Sequence, residues 1–97
     1  MDRVEILVRE TPDYRLSLEP HDDYHFVHND VHRWSPAVVR DIRSTLDIWE
    51  VYFDLRVFVI PGNTQLMKYA GLFGFTFSHT MVRPRDGQPC HILTRRH

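Results

Sequence analysis

A single cysteine, Cys90, is all the thiol this chain carries, which excludes an intrachain disulfide and fits a reducing compartment. No charge of one sign dominates. Lys plus Arg number 12 against 13 Asp plus Glu, a balance that supplies no global field to steer the molecule onto nucleic acid or anionic lipid. No apolar run reaches the roughly 18 residues of a membrane-spanning helix. The opening Met1-Asp2-Arg3-Val4-Glu5 lacks the apolar centre of a signal peptide, so a cytoplasmic product is expected. Internal repeats, low-complexity tracts and linkers are missing, and residues 1–97 read as one domain. Such a domain has room for a modest core. Histidine, by contrast, is plentiful, with seven residues. They would raise the net charge as pH falls toward about 6.

The hydrophobic pattern begins with period two. Val4, Ile6 and Val8 against Glu5, Leu7 and Arg9 predict a strand over residues 3–9. Thr11-Pro12-Asp13 is a turn. Tyr14, Leu16 and Leu18 then alternate with Arg15 and Ser17 as a half-buried strand, and Glu19-Pro20-His21-Asp22-Asp23 turns again. Residues 24–31 are aromatic and β-branched enough for a third strand. These three form an antiparallel meander.

Period 3.6 takes over at Ser35-Pro36, a capping serine followed by proline at the first helical position. Val39, Ile42, Leu46, Trp49 and Phe53 make one apolar stripe over a helix at 35–53, with Arg40, Asp41, Arg43, Ser44, Asp47 and Glu50 facing away. Leu55-Arg56-Val57-Phe58-Val59-Ile60 is a buried strand closed by Pro61-Gly62. Asn63 caps a short helix at 63–73, in which Leu66, Met67, Ala70 and Phe73 fall at helical spacing. Gly74 supplies the left-handed stop. A strand begins near Phe75, and the Asp86-Gly87 turn leads to another. The order is β-β-β-α-β-α-β-β, an α/β (α+β) chain. Its third and fourth strands should be parallel, because a helix crosses between them.

The unit from Asn63 to Gly74-Phe75 resembles the C-terminal half of the GCN5-related N-acetyltransferase (GNAT) family, where a strand ends in Asn, a helix follows, and Gly-Phe closes it. The chain looks especially like the small GNAT-like proteins of tailed bacteriophages, and is similar to an internal virion protein of short-tailed phages. There an aromatic strand, a helix, a V-x-V strand, G-N-T, a short helix and a D-G hairpin recur. The likeness covers roughly residues 24–93. It implies a truncated GNAT-like mixed sheet, since the family's additional first strand and two helices, which help build the acceptor site, have no residues here to form them. It also implies a host bacterial cytoplasm during synthesis, a virion destination, and acetyl-CoA as the family's cofactor, held where the sheet strands splay.

Two family requirements can be checked against the residues. The pyrophosphate cradle would lie in Asn29-Asp30-Val31-His32-Arg33-Trp34-Ser35-Pro36, which holds no glycine, carries the negative Asp30 and loses one amide at Pro36. Were coenzyme A bound, Arg33, Trp34, Ser35 and Asn63 would be the residues to hold it. The ordinary alternative is a strand-to-helix turn with Trp34 against the core. The family's acid is a Tyr on the short helix, where this chain has Ala70. Tyr69 is one residue away, rotated by about 100° on a helix, and should point elsewhere. No catalytic residue is assigned.

The histidines His21, His25, His28 and His32 match no zinc spacing, and on a strand His25 and His28 point to opposite faces. No metal site is assigned, and solvated loop histidines are the plainer reading. Cys90 and His91 are strand neighbours facing opposite ways, so they form no nucleophile–base pair. Arg83-Pro84-Arg85 and Arg95-Arg96-His97 could meet an acidic partner, or simply be a solvated hairpin end. The expectation is therefore a phage virion or assembly protein that uses a degenerate GNAT-like fold as an interaction module. It would have no cofactor and would bind itself or another virion protein through the first strand or the splayed end near Trp34 and Asn63. An acetyl-CoA-dependent N-acetyltransferase is the alternative.

Overall fold

The structure, a computed structural model, describes residues 5–84 and 86–95. The meander forms as β1 (Ile6–Glu10), β2 (Tyr14–Pro20) and β3 (His25–Val31), paired antiparallel. Helix α1 (Pro36–Trp49) crosses to β4 (Leu55–Val59), which lies parallel to β3. Helix α2 (Thr64–Leu72) leads to the hairpin β5 (Thr76–Val82) and β6 (Pro89–Arg95). Strand β6 inserts between β4 and β5, so the sheet runs β1-β2-β3-β4-β6-β5. The sequence pattern does not reveal that insertion. Among the described residues no helix is long and apolar enough to cross a membrane.

Both helix starts follow the local chemistry. The Ser35 hydroxyl accepts the Val38 amide at 3.1 Å, and the Asn63 carboxamide oxygen accepts the Leu66 amide at 3.1 Å. Helix α2 ends in paired reverse bonds, Phe75 N–H to Ala70 C=O and Gly74 N–H to Gly71 C=O, with Gly74 at φ 89°.

Both helices pack on one sheet face, over a core that includes Tyr14, Leu16, Leu18, Val27, Ile42, Leu46, Leu55, Val59 and Leu93. Three expectations need correction. Helix α1 stops at Trp49 rather than Phe53. The Phe53 amide still bonds the Trp49 carbonyl at 3.0 Å, so Phe53 keeps its place on the stripe and stacks on Trp49. The deepest first-turn residue is Val38, with Val39 only partly buried. Glu50, expected to face away, has a side chain only 4% exposed. It caps the C-terminus of the helix, its amide bonded to the Leu46 carbonyl at 2.9 Å, and its carboxylate meets the buried Arg95. Strand β1 starts at Ile6; Arg3 and Val4, in the expected strand, lie outside the described residues, as do Arg85, Arg96 and His97.

Candidate functional site

The parallel pair β3 and β4 is hydrogen-bonded at one end only. Its register comprises His25 with Leu55 and Phe26 with Arg56, and then the strands part. The gap opens where β3 runs into α1 and β4 into α2, so both helix N-termini stand at that end. A cavity of about 390 Å³ fills it, with Val27, Asn29 and Val31 on one wall and Val57 on the other. Leu46 of α1, Leu66, Tyr69 and Ala70 of α2, and Phe73 and Phe75 just beyond α2 also line it, and Asp30 is the charged residue at its edge. Trp34 stands at the mouth, 42% exposed, with its ring 4.9 Å from Tyr69 and stacked 6.0 Å from Phe73.

The residues singled out in the sequence are only partly gathered here. Trp34 lines the cavity as an exposed lid rather than a core residue. Ser35 and Asn63 are engaged as helix caps. Arg33 turns outward, 82% exposed, with its guanidinium 3.8 Å from Asp13. Tyr69, expected to point elsewhere, is on the cavity wall, and its hydroxyl accepts a hydrogen bond from Gln65 at 2.7 Å. The cavity is wide enough for two adjacent helical positions to border it, Tyr69 and Ala70 together, despite their different rotation about the helix axis.

The strand-to-helix loop fits a pyrophosphate poorly. A phosphate nest needs several backbone N–H groups free and convergent. Here the amides of His32 and Arg33 both donate to the Asp13 carbonyl, at 2.7 and 3.0 Å. The Val38 amide is taken by Ser35, and Pro36 has none. Asp30 adds a negative charge at the same edge.

Two polar clusters escaped the sequence reading. Arg95, expected at a solvated basic end, is only 7% exposed. Its guanidinium binds the Glu50 carboxylate, Asp47 at 2.5 Å and the Phe73 carbonyl at 2.6 Å. On the other sheet face, Glu19 receives His21 at 2.6 Å and His28 at 3.1 Å on its two oxygens. Burial alone would raise the Glu19 pKa, but the hydrogen bonds from His21 and His28 outweigh it and hold the carboxyl below its ordinary value. His21 lies two residues along from Glu19, but only the β2–β3 register brings in His28, so no sequence spacing announces the full cluster. His25 lies on the opposite face against Phe53, as strand alternation requires. Among the described residues no group of three or more His, Cys, Asp and Glu side chains is arranged to hold a metal. Cys90 is buried and free, while His91 pairs with Thr80 at 2.9 Å.

No protein-family model and no curated protein sequence matches the chain. A solved structure does: a protein of Bordetella pertussis assigned provisionally to the GnaT-family acetyltransferases. The match has a TM-score of 0.64 at 14% identity and covers 87% of this chain. The chain spans 57% of that protein's length. At that identity the likeness concerns the fold alone, and the fold of this chain, a six-stranded mixed sheet with two helices, is GNAT-like.

Proposed function

We propose that the chain is a bacteriophage virion- or assembly-associated protein that uses its GNAT-like fold as an interaction module, without acetyl transfer. One observation carries the non-catalytic part: two amides of the loop that would hold a pyrophosphate, those of His32 and Arg33, are spent on the Asp13 carbonyl. The phage setting rests on the sequence resemblance. Support for interaction comes from the sheet edges. Strand β1 is an edge strand with Ile6 and Leu7 about half exposed, and β5 at the other edge exposes Phe77 and Val82. Open edges of this kind invite pairing with another chain.

A second reading, an acetyl-CoA-dependent N-acetyltransferase, is favoured by Tyr69 on the cavity wall. A thermal-shift titration with acetyl-CoA separates the two, since a ligand that binds the native state raises its stability. The expected result is no shift at millimolar acetyl-CoA, together with self-association in sedimentation or recovery of a virion protein from phage lysate. A strict monomer that is absent from particles and releases thiol from acetyl-CoA would overturn the proposal.

A further inference from the structure

We infer that the cleft between β3 and β4 receives an extended peptide segment of a partner chain, inserted as a short strand. An apolar side chain of that segment would fill the cavity, and a Lys or Arg would stand at its edge. This rests on the interaction-module reading and gives it a site. The first support is the unfinished ladder. In an antiparallel pair, alternate residues turn their main-chain groups toward the partner strand. The bond from the His32 amide to the Asp13 carbonyl fixes the phase. With the registered pairs Val31–Tyr14, Asp30–Arg15 and Asn29–Leu16, it turns the N–H and C=O of Val31 and Asn29 away from β2, toward β4. The β3–β4 register ends at Phe26–Arg56, before either residue. An extended chain is the ligand whose own amides match such an edge.

The second support is the lining. Val57, Leu66, Tyr69, Ala70 and Phe73 offer an apolar seat, and the buried Asn29 carboxamide oxygen has no hydrogen-bond partner. That oxygen is ready for an N–H donor. The third is charge. Asp30 is the charged residue among the described residues lining the cavity, and Arg33 is turned to Asp13 instead. By strand alternation the Asp30 side chain, 77% exposed, turns to the sheet face opposite Asn29 and Val31. In an inserted strand the residue next to the buried one would point to that same face. A carboxylate there favours a cationic side chain and opposes a phosphate.

The probe is a randomised library of capped hexapeptides, titrated into the full ¹⁵N-labelled chain and followed by amide chemical shifts. Peptides with an aliphatic or aromatic residue beside Lys or Arg should give saturable shifts at Asn29, Val31 and Tyr69. N-methylation at alternate peptide amides should weaken binding by about tenfold or more, because it removes ladder donors. Ala70→Phe should abolish binding by filling the seat. Should that variant fail to fold, Asp30→Lys, an exposed change, should turn the preference from Lys or Arg to Glu. No saturable shift with any library member, or equal binding of the N-methylated peptide, overturns the inference. Capture of a partner through β1 with the cleft amides unmoved also overturns it, yet leaves the interaction-module reading standing. Thiol release from acetyl-CoA would instead overturn that reading, whatever the peptides do.

Discussion

The two ends of the β3–β4 pair are built in opposite ways. At the closed end the strands are hydrogen-bonded, and Arg95 ties β6 to the last turn of α1 through Asp47 and Glu50, and to the end of α2 through the Phe73 carbonyl. At the open end the ladder has stopped, and Trp34, Leu66 and Tyr69 border a cavity. One end spends its polar groups on one another inside the protein. The other leaves backbone and apolar surface for something else. Stability should therefore concentrate at the first and binding at the second, as expected when functional regions are drawn from the less stable parts of a fold.

The sharpest way to break that contrast is Arg95→Ala. Glu50 would lose its guanidinium while its carboxylate stays nearly enclosed, and removing one partner of a buried pair costs about 3–5 kcal/mol. Asp47 is more than half exposed and should add little to this. Urea unfolding measures the loss; a value below about 1 kcal/mol would make the clamp a surface pair in effect. Next in size is Leu46→Ala, which should cost roughly 2–5 kcal/mol, because Leu46 is buried between helix and sheet.

Gly74→Ala probes the closed end from the backbone. The residue holds φ 89°, and an added Cβ would stand 3.1 Å from the Arg95 Nε. A loss of about 1 kcal/mol or more is expected, and the same change at Gly71, which has open space and no positive φ, should be neutral or slightly stabilising. At the open end Trp34→Ala should cost less than either core change, as the ring is substantially exposed. It should nevertheless alter peptide binding in the cleft. A Trp34→Ala variant as unstable as Leu46→Ala would erase the distinction between the ends.

The smallest effect concerns pH. The folded Glu19 carboxyl has its pKa lowered by His21 and His28, so the carboxylate form is favoured in the native state. Its stabilisation is present above the ordinary carboxylate value and is lost as pH falls through the lowered folded value. Glu19→Gln should flatten the acid limb of a stability–pH curve; an unchanged limb would show that this cluster is electrostatically silent.

The residues that shaped each element locally were legible in the chain. Ser35-Pro36, Asn63 and Gly74 mark helix ends through bonds made within a few residues, and the alternation of Tyr14, Leu16 and Leu18 marks a strand whose apolar side chains enter the core. That Ser17 and Glu19 on its other face are buried as well, so that the strand is not half-buried, was not legible. Arg95 was not legible. A positive residue near a chain end has the same local signature whether it is solvated or buried, and its partners lie 45 and 48 positions away in sequence. The place of Tyr69 on the cavity wall was not legible either, because helical rotation gives directions about an axis, not the width of the space beside it.

What the sequence determined by itself was therefore the inventory: eight elements in order, a parallel crossover after the third strand, and the absence of a glycine-rich loop before the long helix. Each follows from periodicity, capping or backbone chemistry acting over a few residues. Tertiary structure alone decided that β6 slips between β4 and β5, that Arg95 meets Glu50, that His28 joins His21 on Glu19, and that β3 and β4 separate after Phe26 and Arg56. Those outcomes depend on how twisted strands and packed helices share one face, and on which distant groups the packing removes from water together.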